Sequence, residues 1–223
     1  METGVAFKTK SDFAYRVVRD RIVSGDLAPG AAIQQRDLAA ELGISTTPLR
    51  EAMRRLHADG LVELDSHKDA RVSALRAQEA QDLLELRLAL DPLAASLAAH
   101  RRTEADLTAL QSALAALRPL PSPPSLDDLV RHRQFHQAVY RAAHNVLLEG
   151  VLDTLWDKAD RYRLHGLRSD PGQRHRDAKS GEHRRIVNAI AKGDAAAAEE
   201  VMRAHIDSSH GAHALVELGE AGA

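Results

Sequence analysis

Residues 36–64, RDLAAELGISTTPLREAMRRLHADGLVEL, constrain the fold of this chain more than any other segment. Their apolar residues recur with helical spacing in two short runs, which predicts two helices. Gly43 ends the first predicted helix and Gly60 ends the second, because glycine readily adopts the positive φ found just past a helix end. Residues 61–64 and 71–73 can then pair as a β-hairpin. The segment therefore predicts a winged helix-turn-helix, an architecture that binds double-stranded DNA.

The second predicted helix carries polar and basic residues on the face opposite its apolar stripe. Thr46, Thr47 and Arg50 stand near its start, where a recognition helix reaches base edges in the major groove. Arg36, on the preceding helix, and Lys68, near the tip of the hairpin, are expected to contact phosphate groups. These five residues are the predicted DNA contacts.

Net charge does not by itself demand a nucleic-acid partner. The formal net charge is −2, and residues 1–75 are neutral, with 11 Lys and Arg against 11 Asp and Glu. The basic residues of the second predicted helix could form an ordinary solvated face, with Glu51 and Arg55 as an i,i+4 ion pair. A helix-turn-helix dimer needs only a local basic face for each half-site, so DNA binding is the favoured interpretation.

Composition favours a helical protein. Hydrophobic residues make up 44% of the chain but aromatic residues only 3%, so the cores must be built from Leu, Ala, Val and Ile, and 28% of the residues are charged. The chain has no cysteine, which excludes disulfides, thiolate zinc sites and cysteine nucleophiles. No apolar run approaches the roughly 20 residues of a membrane helix, and the N-terminus lacks a signal-peptide core. We therefore expect a soluble, cytoplasmic protein with no membrane partner.

Residues 76–223 are predicted to form an all-helical domain, an antiparallel bundle of six or seven helices that follows a DNA-binding domain of residues 1–75. A long helix over 78–100 has leucines at helical spacing, which predicts one continuous buried stripe. These leucines are Leu83, Leu86, Leu90, Leu93 and Leu97. Thr103 is expected to cap the next helix and Asp194 the last one. The other predicted helices span residues 126–143, 146–165, 173–192 and 195–217.

Arg87 interrupts the leucine stripe, one turn after Leu83 and one turn before Leu90. An arginine at this position points toward the interior of the bundle. It either forms a local ion pair with Asp91, four residues further on, or anchors a buried anion. The spacing alone favours neither alternative.

Four of the 12 histidines occupy inward positions by helical periodicity. His132 and His136 are spaced i,i+4 on one predicted helix, and His183 and His205 lie on the apolar faces of two others. A single histidine of this kind is more often a satisfied core residue than a metal ligand. Because an unpaired buried imidazole is costly, four together indicate a shared divalent metal ion. The i,i+4 spacing lets two imidazoles of one helix reach the same ion.

Several spaced motifs carry a family resemblance. The runs SGDLAPG, LAAELGIS, TPLREAMRRL and DGLVEL in the first third of the chain resemble the N-terminal domain of GntR-type bacterial transcription regulators. Further on, ELRLALDPLAASLAA, FHQAVYRAAHN, EHRRIVNAI and MRAHI are similar to the C-terminal effector domain of the FadR subgroup. The resemblance implies a mainly α protein with an N-terminal winged helix-turn-helix and a C-terminal all-α bundle. It also implies a homodimer that binds a palindromic operator.

The resemblance extends to the histidines. In metal-binding members of the subgroup, one Asp and three His hold a metal in the bundle, and small carboxylate effectors bind beside it. His136, His183 and His205 match the three histidines, whereas His132 stands where the family has Asp. A four-nitrogen site keeps the full charge of a divalent cation and favours zinc, nickel or copper over magnesium or calcium. The resemblance thus implies a transition metal, with zinc and nickel foremost, and a carboxylate effector for which Arg87 is a second anchor.

Two positions of the N-terminal domain depart from the family pattern. Family members usually carry Arg where Thr46 stands and a wing-tip Gly where Asp69 stands. The first departure removes a guanidinium that reads guanine, and the second places a carboxylate near phosphate. The family's operator sequences therefore do not transfer to this chain.

Two alternatives give the histidines another role. A helical-bundle metalloenzyme could use them to activate water, because a catalytic zinc site also keeps an open coordination position. However, no HExxH or Glu-x-x-His signature accompanies them. They could also form a purely structural metal site or a metal-free polar core. The favoured hypothesis is a ligand-responsive, DNA-binding transcription regulator that is not an enzyme.

Overall fold

A computed structural model of the chain describes residues 9–64, 70–118, 124–169 and 173–221. These residues are mainly helical and contain one three-stranded sheet, which confirms the predicted fold class. The chain divides into two compact units, Met1–Leu75 and Arg76–Ala223. Across the described residues, no helix combines the length and the apolar character needed to cross a membrane.

The N-terminal unit contains three helices and a small antiparallel sheet. The helices are α1 (Lys10–Val23), α2 (Gln35–Glu41) and α3 (Thr46–Ala58), and the strands are β1 (Ala32–Ile33), β2 (Val62–Leu64) and β3 (Ala70–Val72). The strand order is β1-β3-β2, with Val62 opposite Val72 and Glu63 opposite Arg71. Strands β2 and β3 are the predicted hairpin. The sequence does not predict β1, because a strand of two residues carries no alternating pattern.

The core of the N-terminal unit fixes which face of α3 is exposed. Leu49, Met53 and Leu56 of α3 are almost completely buried and pack in one apolar cluster with residues of α1, α2 and the sheet. Gly43 and Gly60 have φ values of 64° and 74°, so they follow α2 and α3 in the conformation that the sequence predicts. The opposite face of α3 is therefore presented to solvent.

The C-terminal unit contains seven helices within the described residues. They are α4 (Ala77–Arg101), α5 (Glu104–Ala116), α6 (Leu126–Ala142), α7 (Val146–Ser169), α8 (Gln173–Lys192), α9 (Ala195–Asp207) and α10 (His210–Ala221). Thr103 caps α5 in a capping box with Asp106, and the Asp194 side chain caps α9, as predicted.

The single helix predicted over 195–217 is wrong, because the chain leaves the helix at Ser208. This residue has φ −96° and ψ 16°. Its hydroxyl donates a hydrogen bond to the carbonyl oxygen of Ala204 at 2.6 Å. The backbone N–H of Ser208 donates to the same oxygen at 3.1 Å; α9 ends at Asp207 and α10 begins at His210.

Helix α4 contacts α6, α7, α8, α9 and α10. The prediction of one continuous buried leucine stripe is wrong, since Leu86 and Leu93 are 48% and 45% exposed, although Leu83 is buried. The buried face consists of Leu83, Asp91 and small residues, mainly Ala80, Ala94, Ala95, Ala98 and Ala99. At the 3.6 residues per turn of an α-helix, Leu93 lies about 160° around the axis from Asp91. Arg87 lies on the alanine face, so it does point inward.

Candidate functional site

Helix α3 presents a basic face to solvent. Arg50 and Thr47 are exposed, and Thr46, the first residue of the helix, is half-buried. Arg36 on α2 is exposed as well. Within the described residues, Arg36 and Arg50 form no ion pair, so both guanidinium groups are available to a ligand. The predicted phosphate contact Lys68 lies outside the described residues, as does Asp69.

Arg55, also on α3, stabilises the N-terminal unit instead. Its Nη1 donates to Asp12 Oδ1 at 2.8 Å, and its guanidinium carbon lies 4.3 Å from the ring centroid of Tyr15. Arg55 therefore ties α3 to α1. The i,i+4 pair with Glu51, considered for a merely solvated face, does not form because Arg55 is turned toward Asp12.

Four buried histidines converge in the C-terminal unit. This histidine cluster consists of His132 and His136 from α6, His183 from α8 and His205 from α9, and one ligand atom from each lies within 4.8 Å of the others. The Nε2 atoms of His136 and His205 are 3.4 Å apart. Two nitrogens at corners of a tetrahedral zinc site, with Zn–N of about 2.0–2.1 Å, are separated by about the same distance. The spacing of these nitrogens therefore fits a transition-metal ion bound by imidazole rings.

Burial favours the neutral form of these imidazoles, which is the form that binds metal. Burial, followed by the nearby Arg163 guanidinium, holds the pKa of His132 well below its usual value. Burial, followed by the neighbouring His205, does the same to the pKa of His136. Two of the four donors thus need no deprotonation at neutral pH before a cation binds.

Aromatic side chains enclose the cluster. The Trp156 ring centroid lies 5.2 Å from that of His136 and 5.8 Å from that of His132. Phe135 packs against His183, with ring centroids 4.8 Å apart. These apolar walls lower the local dielectric response, which strengthens the interaction of any ion in the cluster with its surroundings.

Two carboxylates stand behind the histidine rings. Glu182 Oε2 lies 2.8 Å from Nδ1 of His205, so the ring donates its Nδ1–H and turns Nε2 toward the cluster. A carboxylate in this position fixes the tautomer and orientation of a metal-binding histidine. Asp91 Oδ1 lies 3.8 Å from Nδ1 of His136, which is too long for a hydrogen bond. The Tyr140 hydroxyl donates to the same Asp91 oxygen at 2.7 Å.

Arg87 forms the local ion pair that was one of its two alternatives. Its Nε and Nη2 donate to the two carboxylate oxygens of Asp91 at 3.2 Å and 3.0 Å, and its guanidinium lies 4.7 Å over the Trp156 ring. Burial opposes the charge, but attraction to Asp91 outweighs it and raises the pKa of Arg87. The pair uses two of the five guanidinium N–H groups, so it does not exclude the other alternative, an anion anchor.

Residues on α7 and α8 complete the surroundings of the cluster, and the sequence patterns did not single them out. Trp156, Asp160 and Arg163 are buried and follow one another at helical spacing on α7. The same signal that marks Arg87, a charged residue within an apolar stripe, also marks Asp160 and Arg163. Glu182 is the direct neighbour of His183 in sequence but supports His205 on another helix, so no local pattern reveals its role.

Comparison with known proteins covers both units. Residues 10–72 match the family model "Bacterial regulatory proteins, gntR family", and residues 82–208 match the FCD domain. The chain is 30% identical over 198 residues to the transcriptional repressor GlaR of Escherichia coli (strain K12), covering 86% of this chain and 90% of GlaR. It is 29% identical over 208 residues to the uncharacterized regulator YdhC of Bacillus subtilis (strain 168), covering 91% of each.

The fold is similar to that of a solved regulator. E. coli McbR/YncC superposes with a TM-score of 0.79 at 20% identity, over 97% of this chain and 100% of McbR. A winged helix-turn-helix followed by an FCD bundle defines a class of DNA-binding transcription regulators. The chain belongs to the GntR family of bacterial regulators, with an FCD domain as its C-terminal part. Since the relatives are regulators, the metalloenzyme alternative is wrong.

Proposed function

We propose that this GntR-family protein is a ligand-responsive regulator of the FadR subgroup whose histidine cluster binds a divalent transition metal. The observation that carries the proposal is the convergence of four buried histidines from three helices within 4.8 Å. An all-nitrogen donor set favours zinc or nickel. When bound, the metal would act as a Lewis acid that takes a small carboxylate effector as a ligand in addition to the four histidines, and Arg87 would add a second anchor.

Elemental analysis tests the metal, and a ligand screen tests the effector. Protein purified without chelator or His-tag is expected to hold about one zinc or nickel ion per chain. Protein that holds no metal after this purification would support a metal-free polar core. A thermal-shift screen of small carboxylates with and without chelator then identifies effectors, because stabilisation grows with the ratio of ligand to dissociation constant. A carboxylate that stabilises the protein only in the absence of chelator would support both the metal site and effector binding to it.

Glu182→Gln is expected to weaken metal binding by about 10–100-fold, the usual effect of losing a partner behind a metal-binding histidine. The amide keeps the size of the side chain but holds the Nδ1–H of His205 less strongly than the carboxylate does. Competition with a chromophoric chelator measures the affinity. Glu199→Gln, on the helix of His205 but paired with Arg203, is the control. Equal metal affinity of Glu182→Gln and wild type would show that Glu182 does not orient His205.

We infer that α3 is the recognition helix of the regulator. In this proposal Thr46, Thr47 and Arg50 contact base edges, while Arg36 and Lys68 hold the phosphate backbone. Support comes from the exposed basic face of α3 and from the two arginines that lack ion pairs in the described part of the chain. Because chromosomal DNA is the target, the proposed location is the cytoplasm.

We further propose a homodimer on a palindromic operator, since two-fold symmetry places two recognition helices in successive major grooves. The leucine face of α4, consisting of Leu86, Leu90, Leu93 and Leu97, offers the subunit contact. It is a partly exposed apolar stripe, which is typical of an interaction surface. Effector binding would change how the two winged domains are held, to the extent that the effector prefers one arrangement.

The double variant Leu86→Asp/Leu93→Asp is expected to be monomeric and to bind operator DNA more weakly, because two carboxylates cannot be buried against a second apolar face. Light scattering coupled to size-exclusion chromatography measures the mass in solution. Ala109→Asp, at an exposed position of α5, adds a charge outside the leucine face and should leave the dimer intact. A dimeric double variant would place the subunit contact elsewhere.

A further inference from the structure

A second arginine beside the histidine cluster lacks a close partner. The side chain of Arg163 on α7 is 6% exposed, and the carboxylate paired with it, Asp160, has its Oδ1 3.9 Å from Nη1. Neither Nη1 nor Nη2 has a hydrogen-bond partner among the described residues. A buried guanidinium without acceptors is costly, so this group is suited to bind an anion.

The ion pairs between α6 and α7 form without Arg163. Arg133 on α6 donates to Asp157 Oδ1 at 2.6 Å and to Asp160 Oδ2 at 2.6 Å and 3.2 Å. Asp160 is thus engaged at its other oxygen by a closer arginine. A purely structural role for Arg163 would predict contacts like those of Arg133, which Arg163 does not make.

The pairing of α6 with α7 places Arg163 near the cluster. Gln137 donates to Asp153 at 2.9 Å, and Arg133 donates to Asp157 and Asp160 at 2.6 Å, so the two helices run antiparallel and Arg163 lies level with the turn of α6 that precedes His132. Burial lowers the pKa of Arg163 itself to about 10, with a contribution from Arg87, so the guanidinium stays charged at neutral pH. Arg87 differs in being neutralised by a bidentate pair with Asp91.

We propose that Arg163 binds the carboxylate of the effector that the metal takes as a ligand in addition to the four histidines. The inference rests on the proposed function and adds a binding residue to it. One carboxylate oxygen would face the metal held by the histidine cluster, and the other would accept hydrogen bonds from the terminal nitrogens of Arg163. A carboxylate in this position satisfies both a cation and an unpartnered guanidinium, whereas Arg87 would contribute through the N–H groups outside its pair with Asp91.

Full-length protein loaded with Co²⁺ provides the test, because the visible spectrum of Co²⁺ reports on its ligands. Acetate, malonate and citrate are titrated, and the spectrum of the wild type is expected to change with at least one of them. Arg163→Gln is expected to lower the affinity for that carboxylate about tenfold or more with unchanged Co²⁺ content, since a charged hydrogen bond is lost. Arg168→Gln, an exposed position on the same helix, should bind the carboxylate like the wild type.

The outcomes separate this inference from the proposed function. If the wild type does not bind Co²⁺, the proposed metal site is contradicted, and the inference, which depends on that site, is contradicted too. The inference would be overturned if the Co²⁺-loaded wild type bound none of the three carboxylates. It would also be overturned if the Arg163→Gln variant bound the carboxylate with wild-type affinity. Either result would leave the metal site in place. If Arg163→Gln does not fold, Arg163→Lys decides, because an ammonium lacks the planar pair of donors and should also bind more weakly. Wild-type affinity in Arg163→Lys would then overturn the inference.

Discussion

Arg50→Ala is expected to weaken operator binding by about 1–3 kcal/mol per base contact, and by about 2–6 kcal/mol for a symmetric dimer in which both half-sites lose the contact. Arg50 is exposed on α3, within the first turns of the helix, and its guanidinium is not used by the fold. Its removal deletes a charged contact to a base edge without disturbing the buried stripe of Leu49, Met53 and Leu56. The loss should therefore appear in binding and not in stability.

Fluorescence anisotropy with an operator selected by the wild type from genomic DNA measures this loss. Arg55→Ala is the matched control, because it removes the same charge from the same helix at a residue that bonds Asp12 and stacks on Tyr15. The control should lower the melting temperature more than the DNA affinity. Unchanged operator affinity in Arg50→Ala would contradict the assignment of α3 as the recognition helix.

His136→Ala is expected to abolish stoichiometric metal binding and the stabilisation that the metal confers. His136 is completely buried, and its Nε2 lies 3.4 Å from that of His205, so its loss removes one corner of the proposed site. Metal at 100–1,000 times its dissociation constant would stabilise the wild type by about 2.7–4.1 kcal/mol, and the variant should lose this amount. Elemental analysis and thermal unfolding with and without added Zn²⁺ measure the two effects.

Cavity formation alone also destabilises a variant of this kind, so the metal-dependent part must be isolated. The informative quantity is the difference in melting temperature on adding Zn²⁺, which cavity formation leaves unchanged. His100→Ala, at an exposed position of α4, is the control and should respond to Zn²⁺ like the wild type. A His136→Ala variant that keeps the full Zn²⁺ response would show that the metal, if bound, is held elsewhere.

The winged domain could be predicted almost completely from sequence because its signals are local. Gly43 and Gly60 end helices at positive φ, and the apolar spacing in α3 places Arg50 on the outer face, as the structure has it. Among the helices and strands described in this domain, β1 alone had no sequence signal. Helix caps at Thr103 and Asp194 were predictable for the same reason, since a cap involves residues three positions apart.

The bundle shows where local patterns fail. Helical periodicity identifies Leu86 and Leu93 as members of a stripe, but a helix surrounded by several others has more than one candidate face. The alanine face of α4 packs in the core because small side chains permit close approach to neighbouring helices, whereas Leu86 and Leu93 remain exposed. The break at Ser208 was not predicted either.

By itself, the sequence determined the class of the protein, the winged domain and the four histidines on inward helical faces. Only the tertiary structure decided that these histidines meet within 4.8 Å, that Glu182 supports His205 and that Arg133 joins α6 to α7 through Asp157 and Asp160. The physical reason is the separation in sequence between the residues that interact. A helical face is set by residues three or four positions apart, whereas the groups that meet around the cluster come from α6, α7, α8 and α9 and are brought together only by packing.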